Sequence, residues 1–339
     1  MNDEFYMKLA LEKAWKYQVL TYPNPPVGCV IVGGSGEILS IEAHKKAGEG
    51  HAELNAVKKA LINLNKRNNK GLNFPQNPNE IYNFILKNHS GLLKNAKAYV
   101  TLEPCSHHGK TPPCANLLKE LGFSEVIIGT KDENKVASGG AEVLKNAGVK
   151  VKFSTLEKEC KDLIEPFKLW QNRNFSFIKL GMSINGVVEG GIITNLASRT
   201  FVHKLRAVID VLAIGGNTVR VDRPTLDTRL LDESLQTKNP DIFIYSRRSE
   251  FDKTIPLFQI LNRKVTINSD INLVKNYKLA MFEGGENLVK NLPEFVTHAL
   301  VFFSPNLLNR ANLMAEMNLE PLYLGNLDDN FYGWFKIKR

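Results

Sequence analysis

TLEPCSHHGKTPPC, residues 101–114, follows Ala98-Tyr99-Val100 and leads into Cys114-Ala115-Asn116-Leu117-Leu118-Lys119-Glu120-Leu121. The run at 98–102 reads as a strand, and Pro112-Pro113 ahead of helically spaced apolar residues reads as a helix starting at Cys114. One thiol, Cys105, therefore lies just past a strand. The other, Cys114, opens a helix, where a depressed pKa favours the thiolate. About fifty residues upstream, His51-Ala52-Glu53 opens another stretch of helical apolar spacing, 53–61. One imidazole and two thiolates are the usual protein ligands of a zinc that keeps its fourth position for water.

Glu53 follows His51 by two residues, close enough to take a proton from such a water without ligating the metal. A zinc-activated hydroxide attacks an amidine-like ring carbon, and the glutamate carries the proton to the ring nitrogen and then to departing ammonia. H-x-E followed by P-C-x-x-C is the signature of zinc-dependent base deaminases. Here eight residues separate Cys105 from Cys114 instead of two. A structural zinc would close with a fourth protein ligand and tends to use a short C-x-x-C hook, so Glu53 and the strand-then-helix setting favour a catalytic metal. Cys29 and Cys160 have no comparable partners and read as small buried hydrophobes.

Helix and strand alternate around this stretch: helices at 4–16, from 53, from 114 and at 141–146, and strands at 28–32, 38–42, 98–102, 125–129 and 149–153. That order predicts a three-layer α/β sandwich over residues 1–153. Residues 63–95, rich in Asn and Lys with Pro75 and Pro78, read as an exposed insertion, partly helical at 80–87. Residues 154–174 hold a connecting helix, and 175–339 form a second α/β domain. Its expected strands lie at 177–181, 211–215, 241–245, 278–282 and 299–303, with helices at 198–208 and 286–291. A chain of 339 residues can build two such cores. No apolar run approaches a membrane span, and four cysteines, two of them in a metal motif, suit a reducing, cytoplasmic setting. The net charge of +9 is partly local, since Lys66, Arg67, Lys70, Lys87, Lys94 and Lys97 face only Glu80. Without an aromatic-interleaved basic groove, anionic small molecules explain it as well as nucleic acid does.

Further strings widen the match. They are Pro23-Asn24-Pro25-Pro26-Val27-Gly28, His44 to Gly48, Lys179 to Gly186, Leu205-Arg206-Ala207, Gly215 to Val219, Asp222 to Arg229 and Phe282 to Leu288. Together with 101–114 they resemble the bifunctional riboflavin-biosynthesis RibD family, a pyrimidine deaminase fused to a reductase whose fold is like dihydrofolate reductase. The resemblance implies that Asn24, His44, His107, Lys110, Thr111 and Asn134 meet a phosphorylated pyrimidine, with His108 also in the intercysteine loop. It implies that Lys179, Arg206, Leu226, Arg229 and Glu283 meet the reductase substrate. It further implies an NADPH site built from Met182, Thr194, Thr218, Asp222, Ser246, Gly284, Gly285, Glu286, Asn287 and Leu288. Physically, Gly284-Gly285 lets backbone N–H groups approach a pyrophosphate, and Ser246-Arg247-Arg248 past a strand end suits a 2′-phosphate. Family members usually have Asp, Ser, Trp and Asp where this chain has Asn185, Gly190, Ile192 and Arg223, and Asp-Pro-Asn-Pro where it has Asp132-Glu133-Asn134-Lys135.

The expectation is a bifunctional zinc- and NADPH-dependent enzyme of riboflavin biosynthesis, acting on a small phosphorylated pyrimidine and assembling as a homodimer through its reductase half. It engages neither nucleic acid nor membrane. The rivals are a nucleic-acid or free-nucleotide base deaminase with an accessory nucleotide-binding domain, and a non-catalytic zinc-stabilised module. The long intercysteine loop disfavours the first rival, and Glu53 disfavours the second.

Overall fold

The computed structural model describes residues 2–67, 71–107, 109, 111–134, 138–235 and 238–339. The chain divides into two compact units, Met1–Glu165 and Pro166–Arg339.

The first unit contains α1 (Asp3–Trp15), β1 (Gly28–Val32), β2 (Ile38–Ala43), α2 (Ala52–Arg67), α3 (Pro78–Asn88), β3 (Lys97–Leu102), α4 (Cys114–Glu120), β4 (Glu125–Thr130), α5 (Gly140–Asn146) and β5 (Lys150–Phe153). α6 (Glu157–Asn172) follows, and the division between the units falls inside it. The sheet order is β2-β1-β3-β4-β5, antiparallel at β2-β1-β3 and parallel from β3 onward. Alternate side chains of the central strands point to opposite faces. Cys29, Ile31, Val100 and Ile128 join α2, α4 and α5 in one core. On the other face Tyr99 meets Tyr6 of α1, and a Cβ on Gly28 would come within 2.0 Å of the Ala10 carbonyl oxygen. Only glycine at that position lets α1 lie this close. Both faces are covered, which gives the three layers expected.

The 63–95 segment departs from its reading. α2 continues to Arg67, and α3 buries Ile81, Tyr82 and Ile85 in the main core together with Leu93. Three apolar residues at helical spacing outweigh the polar composition around them, so α3 is an amphipathic part of the packed unit.

The second unit contains β6 (Phe175–Ser183), α7 (Leu196–Arg206), β7 (Val211–Gly215), α8 (Gly216–Asp222), β8 (Asp241–Tyr245), β9 (Val265–Asn268), β10 (Leu279–Glu283), α9 (Glu286–Lys290), β11 (Val296–Ser304), β12 (Asn318–Leu327) and β13 (Asn330–Lys338). Its sheet order is β12-β13-β11-β6-β10-β7-β8-β9. Pairing from β11 through β9 is parallel, and the β12–β13 hairpin adds an antiparallel edge. Parallel strands bury both faces. One face packs Phe177 against Trp334 and Phe201 against Phe302 and Tyr332. The other packs Phe282, Phe243 and Val301 with Leu288 and Val289 of α9. Ligands of open parallel sheets gather at the carboxyl ends of the strands. Here Glu283-Gly284-Gly285, Gly215-Gly216 and Ser246 leave the neighbouring strands β10, β7 and β8. Among the described residues no helix is long and apolar enough to cross a membrane.

Candidate functional site

In the first unit, β3 delivers Cys105, α4 opens on Cys114, and His51 immediately precedes α2. The ligand atoms of the three lie within 4.8 Å of one another. His51 Nδ1 stands 3.7 Å from Cys105 Sγ and 3.6 Å from Cys114 Sγ. A tetrahedral zinc with bonds of about 2.0–2.1 Å to nitrogen and about 2.3 Å to sulfur sets those atoms roughly 3.5–3.6 Å apart, so the donor set fits zinc in type and spacing. Thr111 Oγ1 lies 3.4 Å from His51 Nε2. That is the place of the partner that fixes a ligating imidazole's orientation, so the structure sets Thr111 against the metal cluster.

The thiols differ from expectation in one respect. The α4 N-terminus does not depress the thiol it carries; the Cys114 backbone N–H points at Cys105 Sγ, 3.3 Å away. Hydrogen bonding from Cys114, then contact with His51, holds the Cys105 thiol down at about 4. Hydrogen bonding to Cys105, then burial, pushes the Cys114 thiol well up. Two thiols sharing one proton behave this way, and a divalent cation can take the proton's place.

Glu53, at the start of α2, is 4% exposed. Burial, then the charge of Cys105, pushes its carboxyl up to about 7. Asn24 Nδ2 is 3.0 Å from His44 Nε2, and His44 Nδ1 is 3.0 Å from the Gly50 carbonyl. A neutral His44 with its proton on Nδ1 satisfies both contacts, and burial followed by the charge of His51 lowers its pKa accordingly. Both ring nitrogens are thus engaged within the protein, so His44 is positioned as the support of Asn24 in this structure. Glu103 was missed as a functional residue. Its buried carboxylate accepts N–H bonds from Asp132, Gly139 and Ala141, tying the end of β3 to the start of α5 just ahead of Cys105. His107 is half-buried, with Nδ1 lacking a hydrogen-bond partner among the described residues. Asn134 is exposed, its N–H bonded to Asp132 Oδ1. His108 and Lys110 lie outside the described residues.

In the second unit the parallel register of β6 and β10 sets Glu283 beside Lys179. The Glu283 carboxylate is 3.0 Å from Lys179 Nζ and 3.1 Å from Arg206 Nη2 at the end of α7. Burial pushes the Glu283 carboxyl up, but Arg206 and Lys179 outweigh it and hold it at about 2. Arg206 also donates to the Asp227 carbonyl, and Asp227 pairs with the more exposed Arg229 at 2.6 Å. Leu226 is buried with a left-handed backbone (φ 57°). Three further residues support this cluster. Arg263 donates to the Thr225 and Leu226 carbonyls at 2.9 and 2.5 Å. His203 is held neutral by burial and then the charge of Arg206, its pKa down to about 4, and accepts the Leu230 N–H. Asp227 links the two arginines.

The depressed Glu283 carboxyl makes stability depend on acid. Its folded pKa of about 2 lies below the ordinary value of about 4.3, so its contribution is complete above pH ~4.3 and is lost as pH falls toward 2. Glu283→Gln should cost about 3–5 kcal/mol at neutral pH by leaving the buried Arg206 and the half-buried Lys179 without their anion. In that variant the stability measured by denaturant unfolding should also fall less steeply with pH between ~4.3 and ~2. An unaltered slope would show that Glu283 is not the titrating group.

The expected cofactor residues lie around the strand ends. A Cβ on Gly284 would meet Leu288 at 2.8 Å, and one on Gly181 would meet Thr194 at 3.4 Å, so Met182, Thr194 and the Gly284-Gly285 turn border adjacent strands β6 and β10. The Thr218 hydroxyl lies 3.7 Å from a Cβ built on Gly215. Asp222 and Asn287 are exposed. Glu286 pairs with Lys290 and accepts the Met314 N–H. The Ser246 hydroxyl donates to the Arg248 carbonyl at 2.8 Å, pinning the turn, while Arg247 and Arg248 are exposed.

The departures have local causes. Asn185 accepts from Ser183 Oγ and the Leu308 N–H while donating to the Leu308 carbonyl, which an aspartate could not do. A Cβ on Gly190 would lie 2.2 Å from the Arg310 guanidinium, which donates to the Gly190 carbonyl. Arg223 pairs with Asp252 and Thr254, both at 2.7 Å. Nothing in the structure explains the exposed Ile192.

Residues 1–130 match the family model of the cytidine and deoxycytidylate deaminase zinc-binding region, and residues 176–316 match that of the RibD C-terminal domain. A riboflavin biosynthesis protein RibD from Escherichia coli is 36% identical over 250 residues, 71% of this chain and 60% of that protein. One from Haemophilus influenzae is 31% identical over 327 residues, 94% of this chain and 76% of the relative. The alignments span 60%, 60% and 55% of the length of the relatives from E. coli, Aquifex aeolicus and Actinobacillus pleuropneumoniae. A solved Thermotoga maritima diaminohydroxyphosphoribosylaminopyrimidine deaminase/5-amino-6-(5-phosphoribosylamino)uracil reductase aligns with TM-score 0.62 and 26% identity over 99% of both chains. Acinetobacter baumannii RibD shares the fold at TM-score 0.62 and 24% identity, again over 99% of both chains.

Proposed function

Because the chain belongs to the RibD family of riboflavin biosynthesis proteins, we propose that it performs two successive reactions on one phosphorylated pyrimidine. The first unit deaminates 2,5-diamino-6-(5-phosphoribosylamino)pyrimidin-4(3H)-one, exchanging the amine on a ring carbon for oxygen and releasing ammonia. The second reduces the ribosyl group of that product to a ribityl chain. The observation that carries the reading is the joining of His51, Cys105 and Cys114 in one cluster beside the buried Glu53.

Zinc, when bound by His51, Cys105 and Cys114, supplies a Lewis acid that polarises a water. Glu53 takes the proton of that water, passes it to the ring nitrogen and then to the leaving amine. Asn24, fixed by His44, hydrogen-bonds the pyrimidine edge. Thr111 steadies His51. His107, Lys110 and Asn134 serve the phosphate-bearing side of the substrate. In the second unit NADPH, when bound, supplies a hydride to C1′, and one proton at the ring oxygen completes the opening of the ribose. Lys179, Arg206 and Glu283 hold the ribosyl phosphate end, with Arg229 and the backbone of Leu226 beside them. Met182, Thr194, Thr218, Asp222, Ser246 and the 284–288 turn hold the cofactor. The exposed apolar Leu324 and Phe331 on the edge hairpin support a homo-oligomer through this unit.

The zinc-loaded chain, incubated with the diaminopyrimidine phosphate, should release ammonia without NADPH and form the ribityl product only with it, as read by mass spectrometry. Arg206→Ala should still deaminate at the wild-type rate while losing reduction. Glu53→Gln should still reduce pre-deaminated substrate. Loss of both activities from either folded variant would refute separate sites.

A further inference from the structure

Resting on the NADPH reading of the second unit, we propose that Arg220, rather than Arg247 or Arg248, is the residue that recognises the cofactor's 2′-phosphate. Arg220 lies on α8, directly after the carboxyl end of β7, and the β7–β8 register pairs Gly215 with Tyr245. The next residues, Gly216 and Ser246, therefore stand side by side just beyond the sheet. A Cβ on Gly216 would come within 2.6 Å of Ser246 and 3.0 Å of Arg220 Nη1. The glycine thus leaves room for a guanidinium against the Ser246 turn.

That guanidinium is already held in place. It lies over the Phe251 ring at 4.0 Å, and its Nη2 reaches Ser246 Oγ at 3.5 Å and the Arg248 and Glu250 carbonyls at 3.4 and 3.3 Å. All of these partners are uncharged. Among the described residues no carboxylate pairs with Arg220, whereas Arg223, three residues on, is matched by Asp252 at 2.7 Å. Among the described residues its contacts engage Nη2 and the ring face, so Nη1 retains donors at the end of adjacent parallel strands, where an adenosine ribose lies in open α/β sheets. A planar cation shelved on an aromatic ring loses little freedom on meeting a phosphate and can donate to it through a fixed fork. Arg247 and Arg248 lack this preparation: both are exposed, and among the described residues neither side chain makes a hydrogen bond or ion pair.

The test is direct binding to the full-length chain, by calorimetric titration with NADPH, NADH, adenosine 2′,5′-bisphosphate and AMP. Arg220→Gln should weaken NADPH and the bisphosphate by about ten- to a hundredfold, the worth of one charge-assisted phosphate contact, and leave NADH and AMP within about twofold. Arg220→Lys should recover part of the loss. Phe251→Ala, which keeps the charge and removes the shelf, should weaken NADPH selectively but less; these two variants serve if the glutamine variant fails to fold. Equal weakening of NADPH and NADH would reduce Arg220 to a clip of the 246–251 turn and overturn the assignment. So would NADPH loss confined to an Arg247→Ala/Arg248→Ala double variant, or equal wild-type affinity for the two cofactors. A wild-type chain that binds neither dinucleotide would overturn the reductase reading itself.

Discussion

Replacing Cys105 and Cys114 together by serine is expected to abolish stoichiometric zinc and bring ammonia release down to background. Two of three protein ligands are removed, and a serine hydroxyl, unlike a thiol, does not ionise near neutral pH to replace a thiolate. Much of a zinc site's binding free energy comes from such anionic ligands, so no partial occupancy should survive dialysis. The first unit should also melt at lower temperature than the zinc-loaded parent, because a metal that binds only the folded state stabilises it by mass action. Reduction of pre-deaminated substrate should persist, since Lys179, Arg206 and Glu283 belong to the other unit. Elemental analysis beside the two activity assays checks all of this. Full zinc occupancy in the double variant would mean that His51, Cys105 and Cys114 are not the ligand set.

That cluster was legible before any coordinates because its ingredients are chemically scarce. Few side chains bind zinc, and a thiol after a strand, a thiol opening a helix and a histidine opening another leave little freedom in how they meet. The parallel strands of both units, apart from the four-residue β9, were legible for a similar reason, as short apolar runs between polar turns. The hairpin β12–β13 was not. Pro321 interrupts its first strand at an irregular register, and Gly325, Gly333 and exposed apolar residues blur the alternation, although Tyr332 and Trp334 prove deeply buried. α3 was misjudged because its flanks are polar, while only Ile81, Tyr82 and Ile85 decide its burial. The remaining site residues depend on contacts remote in sequence. Arg263 reaches carbonyls 37 and 38 residues away. Glu283 meets Lys179 only through strand register, and Arg220 gains its setting from Ser246 and Phe251. In each case the residue type announces a charge, and only the fold decides what it faces.

Glu53→Gln is expected to keep stoichiometric zinc and lose at least ~100-fold in deamination, the usual lower worth of a positioned acid–base group. The substitution preserves shape and removes only the ability to take up and give back a proton. Glu53 is not among the three clustered ligand atoms, so the metal has no reason to leave. The carboxyl is 4% exposed and pushed up to about 7 by burial and then the neighbouring Cys105 charge, so it is poised to exchange protons near neutrality. Glutamine cannot do so at any pH, and raising buffer concentration should not restore turnover, because so buried a position excludes an external base. Glu53→Asp separates chemistry from reach: it retains a titratable group drawn back by one methylene, and should fall between wild type and Glu53→Gln. Two measurements decide the matter, zinc content and ammonia release at saturating substrate. Loss of zinc from Glu53→Gln would make Glu53 a structural support of the metal cluster. Near wild-type ammonia release with zinc retained would assign the proton transfer to another group.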